Sequence, residues 1–144
     1  MNKLKLLVTG GAGFIGSAFI REAISRKFSV LNLDSLTYAS SEKSLESISN
    51  NKAYSFINLD IRDKNSLYHA FTEFSPDVVI HFAAETHVDK SIDSPANFIE
   101  TNIIGTFNLL DCANKYWTEA GRPSTFRFLH ISTDEVYGSL SSNG

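Results

Sequence analysis

The stretch LLVTGGAGFIGS, Leu6 to Ser17, breaks an apolar run with four glycines in seven residues and then turns apolar again. A strand that runs into a glycine-rich turn and out along a helix has a physical purpose. Gly11, Gly13 and Gly16 match G-x-G-x-x-G, and Gly10, Gly13 and Gly16 match the wider G-x-x-G-x-x-G. One glycine permits the tight turn. Another lets a pyrophosphate approach the backbone without meeting a Cβ. A third lets the helix lie close to the strand. The helix start then offers free N–H groups and a positive dipole end to phosphate. No G-K-[ST] follows, which excludes an ATP-binding P-loop. The bland alternative is that the glycines serve packing alone.

Outward from the turn, strands and helices alternate. KLKLLVT is a buried strand and FIGSAFIREAISRK carries apolar residues on one helical face. FSVLNLD and AYSFINLD are the second and third strands. Between them SEKSLESISN forms a short polar helix, with Ser41 or Ser44 near its start. DKNSLYHAFTEF is a helix capped by Asp63, and PDVVIHFAA is strand four. SPANFIETNIIGTFNLLDCANKYW is one long helix, with Ser94 as N-cap and Pro95 at its first position. STFRFLHIS is strand five, and the tail GSLSSNG is disordered. Near-continuous apolar strands alternating with helices call for an α/β doubly wound parallel sheet, a Rossmann fold, covered on both faces. Such sheets usually continue to six strands or more, so residues 1–144 are expected to be a truncated dinucleotide-binding domain of a longer protein.

Composition narrows the function. The 144 residues carry a net charge of -3, which argues against a nucleic-acid or anionic-membrane binder. No apolar run is long enough to span a bilayer, and the N-terminus lacks a signal-peptide pattern. One cysteine, Cys112, permits no internal disulfide and reads as a small core hydrophobe, so a cytoplasmic setting is expected.

The candidate site residues fall where strands end. Asp34 closes strand two, about twenty residues past the glycines. A carboxylate there accepts from both ribose hydroxyls and repels a 2′-phosphate, favouring NAD over NADP; otherwise it starts a turn. Asp60 and Ile61 close strand three. Asp60 bonds an adenine amino group with Ile61 beside the ring, or Asp60 and Asp63 organise only a turn and a cap. After strand four, Ala83 and Ala84 leave room for a flat ring and Thr86 offers a hydroxyl. His81, His87 and Asp89 have no standard metal spacing, so no metal is expected. Thr133, Asp134 and Glu135 follow strand five. Two adjacent acids in a crevice resist double ionisation, which yields one proton donor and one base, as an elimination requires. The alternative is a solvated acidic turn.

Taken in order, TGGAGFIGS, NLDSLTYAS, LDIRD, HFAAETHVDKSIDSPANFIETNIIGT and STDEVYG resemble the dTDP-glucose 4,6-dehydratase family of the extended short-chain dehydrogenase/reductase superfamily, over essentially the whole chain. The first motif is shared across the superfamily. LTYA, HVDKSI and STDEVYG are far more specific, and epimerase relatives have serine-rich residues at Thr133-Asp134-Glu135. The resemblance implies that Phe14 and Ile15 line the pyrophosphate turn. It places Asp34, Ser35, Leu36 and Thr37 at the adenosine ribose and Asp60 and Ile61 at the adenine. Phe82, Ala83, Ala84, Glu85, Thr86 and Thr101 surround the nicotinamide half, with Thr86 and Thr133 on the substrate. It further implies oxidation at C4 of the glucose with NAD as hydride acceptor. Glu135 then removes the C5 proton, Asp134 protonates the C6 hydroxyl, water leaves, and the hydride returns to C6. The product is dTDP-4-keto-6-deoxyglucose, a precursor of rhamnose.

Thr86 stands where the family more often has serine, Ser35 where lysine is frequent and Phe82 where leucine is frequent. A Tyr-x-x-x-Lys pair is expected beyond Gly144, since no lysine suits Tyr137, so this segment is expected to be inert alone. The whole protein is expected to be a homodimer joined through the helix from Ser94 to about Glu119. A nucleotide-sugar epimerase or decarboxylase, and a non-catalytic NAD-binding module, are the competing readings.

Overall fold

A computed structural model describes residues 3–86 and 95–138, apart from the side chains of Glu42 and Glu135. The elements run β1 (Lys5–Thr9), α1 (Phe14–Ser25), β2 (Ser29–Asp34), a 3₁₀ segment (Glu42–Ile48), β3 (Tyr54–Asn58), α2 (Lys64–Phe74) and β4 (Val78–His81). Then come α3 (Pro95–Phe98), a π-helical segment (Ile99–Gly105), α4 (Thr106–Glu119), β5 (Arg127–His130) and a 3₁₀ turn (Asp134–Tyr137). The five strands form one parallel sheet in the order β3-β2-β1-β4-β5. The chain builds outward from β1 to β3, then returns to start again at β4. The sheet's switch point therefore lies between β1 and β4, where α/β sheets bind ligands beyond the strands' carboxyl ends.

Alternating side chains on the central strands feed two cores. Leu7, Leu31, Leu33 and Val79 face α2 and α4, meeting Leu67, Phe71, Leu109 and Cys112. Leu6, Val8, Val30 and Ile80 face α1, meeting Ile20, Ala23 and Ile24, with Leu45 from the 3₁₀ segment. Cys112 is the core hydrophobe expected of it: it is buried, its Sγ contacts the Lys64 carbonyl, and burial pushes its thiol pKa up. Asp63 caps α2 by accepting from the Ser66 amide at 3.1 Å.

The short helix expected after β2 is a 3₁₀ segment with Ser41 at its N-cap, without a capping side-chain bond. Two expectations need correction. The long helix holds a π segment, although Phe98, Gly105 and Thr106 all keep right-handed helical torsions. Full cover on both faces holds for β1, β2 and β4, but β3 and β5 are largely exposed. These two are the edge strands, each paired on one side only, so their apolar residues read as buried while their position leaves them open. Ser94 and the tail 139–144 lie outside the described residues.

Candidate functional site

The glycine turn is shaped by what surrounds it. Gly10 has φ +70°, and a Cβ there would sit 2.5 Å from the Ala83 amide nitrogen, so the turn is pressed against the exit of β4. A Cβ on Gly11 would strike Asn32 Oδ1, and one on Gly16 would lie 2.3 Å from the Gly10 carbonyl oxygen. Gly13 differs. Its nearest described atom, the Gly10 oxygen, is 3.3 Å away, an accommodation a neighbour can make. Protein packing therefore explains three glycines, and the fourth keeps the approach to the helix start bare. Gly13 is also the N-cap of α1, and no side chain caps that end. Phe14 and Ile15 follow it, 93% and 61% exposed. The first amides of a 12-residue helix thus face outward beneath two uncovered apolar side chains, a cradle that suits pyrophosphate.

Asp34 is buried beside the turn. Its Oδ2 accepts from the Ala12 amide, and its Oδ1 from the Leu36 amide and the Ser40 hydroxyl, each at 2.8 Å. Leu36 takes a left-handed φ of 52° to make that bond. Ser40 closes on the Thr37 carbonyl, and Ser41 on Ala12. A carboxylate offers about four acceptor positions, so one stays open on Oδ2 for a ribose hydroxyl. A second hydroxyl would replace Ser40. Asp34 and Ser41 thus also tie the loop after β2 to the glycine turn through Ala12.

At the exit of β3 the Asp60 carboxylate is taken up by Arg62. It accepts from the Arg62 amide and Nε, and from Nη2 at 2.6 Å. Partial burial pushes the Asp60 pKa up, but these bonds and the guanidinium charge outweigh it and leave the pKa below the ordinary value. Arg62 also reaches Glu100 of the π segment, and its carbonyl accepts from Asn108. Ile61 is buried in the α2–α4 core, where a Cβ on Gly105 would come within 2.6 Å of it. The Asp60 carboxylate organises this turn, as one of its two readings had it. Sequence reasoning missed Arg62, although a cation flanked by acids in DIRD was the available signal.

The exit of β4 is clamped from two sides. His81 is fully buried, with Nδ1 2.6 Å from the Thr9 hydroxyl and Nε2 3.0 Å from that of Thr106. Burial, aided by the neighbouring His130, pulls its pKa down to about 4. It is a neutral cross-link between β1, β4 and α4. No metal-binding cluster occurs among the described residues; His87 and Asp89 lie outside them. The Phe82 ring meets Phe19 on the α1 side, with centroids 5.5 Å apart. Ala83 abuts Gly10, while Ala84 and Thr86 are exposed. The Glu85 amide donates to Asn102 Oδ1 at 2.8 Å, and Asn102 Nδ2 returns a bond to the Glu85 carbonyl at 2.9 Å. The Glu85 carboxylate accepts from the Tyr38 hydroxyl at 2.9 Å. Thr101 stands half-buried next to Asn102. Neither Asn102 nor Tyr38 was singled out from the sequence. Asn102 precedes Gly105 and Thr106 by one helical turn, which puts all three on the sheet-facing side.

Beyond β5, Thr133 donates to Asp134 Oδ1 at 3.3 Å, and both residues are exposed. Asp134 opens the 3₁₀ turn, with the Val136 amide on the Thr133 carbonyl. The Ile131 amide binds the His81 carbonyl, so the acidic turn starts one strand away from the clamped β4 exit. The side chain of Glu135 is outside the described residues, and with it the paired-acid expectation.

Comparison with known proteins gives a consistent answer. The family model for GDP-mannose 4,6 dehydratase matches residues 7–144. The dTDP-glucose 4,6-dehydratase of Salmonella typhimurium is 52% identical over 140 residues, covering 95% of this chain and 39% of the relative. The dTDP-glucose 4,6-dehydratase of Streptomyces venezuelae, solved with NAD bound, superposes with a TM-score of 0.83 at 43% identity, covering 96% of this chain and 42% of that one. UDP-glucose 4-epimerase of Thermotoga maritima superposes at 0.81 with 31% identity, covering 96% of this chain and 41% of that one. The chain spans about two-fifths of the length of these relatives.

Proposed function

The chain belongs to the GDP-mannose 4,6 dehydratase family, and on that premise we propose that it is the NAD-binding and acid–base part of a dTDP-glucose 4,6-dehydratase. One observation carries the reading: Gly13 stays bare over an uncapped helix start while Asp34, tied to the same turn, keeps an acceptor open. Those features fit a dinucleotide, with the pyrophosphate on the amides of α1 and a ribose on Asp34. The Asp34 carboxylate repels a 2′-phosphate, so NAD is preferred to NADP. When bound, NAD supplies the hydride acceptor and donor that the reaction needs at C4 and C6 of the sugar.

The chain's own residues do the proton work. Glu135 takes the C5 proton, made acidic by the C4 ketone, and Asp134 gives a proton to the departing C6 hydroxyl. Thr133 and Thr86 hold the sugar beside them. Relatives named dTDP-glucose 4,6-dehydratase that are 52% and 54% identical over 140 residues support this reading. The protein works as a cytoplasmic homodimer. Ile99, Ile103, Ile104, Phe107 and Leu110 stand exposed along the π segment and α4, and a second copy covers them. Charged substitutions at Ile103 and Phe107 should convert the dimer to monomer in sedimentation velocity.

The decisive assay is water loss from dTDP-glucose by the full-length protein. Asp134→Asn and Glu135→Gln should each slow turnover by roughly a hundredfold or more while NAD still binds. An active double variant overturns the role assignment, and product from UDP-sugars alone favours an epimerase.

A further inference from the structure

The sheet order places β2 and β4 on either side of β1. Tyr38 belongs to the loop that leaves β2, Glu85 to the loop that leaves β4, and their hydrogen bond joins the two. It therefore passes across the exit of β1, where the glycine turn lies. A dinucleotide running from Asp34 toward Thr101 has to cross the same line. Both ends of this link are anchored. On the β2 side, Asp34 holds Leu36 and Ser40, and Ser41 is bonded to Ala12 of the glycine turn. On the β4 side, Asn102 holds the Glu85 backbone through two bonds, so the carboxylate projects from a fixed point. Between these anchors Ala84 and Thr86 are exposed, and Tyr38 is half exposed.

We infer that Tyr38 and Glu85, with Asn102 as the anchor, form a strap across the dinucleotide cleft that sets how long the cofactor stays bound. This rests on the cofactor reading above and joins to Glu85 two residues, Tyr38 and Asn102, that the reading leaves idle. A reaction that restores its cofactor in every cycle gains nothing from releasing it, so a slow exit suits the chemistry. The Tyr38–Glu85 hydrogen bond is exposed and lies between anchored supports, so it can open without unfolding the sheet. Breaking it should act on release more than on capture, since capture depends on the glycine turn and on Asp34.

The test is a chase experiment on the full-length protein. It is loaded with NADH, mixed with excess NAD, and followed by the decay of bound-NADH fluorescence. Tyr38→Phe, which keeps the ring and removes the hydroxyl, should release NADH about fivefold faster, the effect of one net hydrogen bond. Its capture rate and thermal midpoint should stay at the parent values. Glu85→Ala should remove the same link, and combining it with Tyr38→Phe should add less than the sum of the two single effects. Release by Tyr38→Phe at the parent rate, with Asp34→Ala still weakening NADH, overturns the strap and leaves the cofactor site standing. Failure of the parent protein to bind NADH overturns both.

Discussion

The turn after β1 and the turn after β5 both stand at the carboxyl edge of one sheet, yet they are held in opposite ways. At the first, the backbone is wedged between the exits of β2 and β4, with no room for a Cβ at Gly10, Gly11 or Gly16, and the buried Asp34 accepts from its Ala12 amide as well as from Leu36 and Ser40 of the neighbouring loop. At the second, a 3.3 Å bond from Thr133 to Asp134 is the side-chain tie among the described atoms, and the residues around it are exposed. On the proposed reading, the difference separates a phosphate cradle built of backbone from a proton-transfer pair built of side chains. Backbone is positioned by the strands and helix that flank it in sequence, whereas side chains are positioned by what packs against them.

The sharpest way to break this contrast is Gly10→Ala. A left-handed φ and a contact of 2.5 Å with the Ala83 backbone should together cost about 2–4 kcal/mol in urea unfolding. Loss under 1 kcal/mol would mean that the turn is not wedged. The second test concerns the clamp behind the turn. The folded His81 pKa of about 4 lies below its ordinary 6.5, so the unfolded chain binds a proton that the folded chain refuses. This contribution is whole above pH 6.5 and erodes as pH falls toward 4, by at most about 1.4 kcal/mol per unit and on the order of 3 in all. Urea midpoints across that window, compared with a His81 imidazole titration by NMR, check it. A flat profile would show that His81 protonates freely.

Gly105→Ala asks whether the π segment must lie this close to β3. Its Cβ would reach Ile61 side-chain atoms 2.6 and 2.7 Å away, which can shift, so about 1–2 kcal/mol of destabilisation is expected in thermal melts. The smallest effect belongs to the open turn. Asp134→Asn should leave stability within about 0.5 kcal/mol of the parent while slowing the proposed dehydration by roughly a hundredfold or more. A large loss of stability there would mean the acidic turn is structural.

Several features were legible because local chemistry decides them. The glycines, the Asp63 cap, the apolar Cys112 and the parallel strands all follow from short-range pattern, and the structure agrees. Others were not, because their partners are distant in sequence. Arg62 claims Asp60 and reaches Glu100, Asn102 grips Glu85 17 residues away, and Tyr38 meets Glu85 47 residues away. Nothing in their own neighbourhoods announces these pairings. Ile61 shows the converse: an apolar residue at a strand end suits a ligand ring and a core equally, and Gly105 draws it into the core.

By itself, the sequence determined the alternation of strand and helix, the place of the glycine turn and the run of acids after β5. These depend on backbone freedom, hydrophobic period and residue type, which are local quantities. Only the tertiary structure decided which strands are edges, which carboxylates are already engaged, and which loops meet across the cleft. Those depend on distances through space, set when the sheet order β3-β2-β1-β4-β5 brings the ends of remote segments side by side.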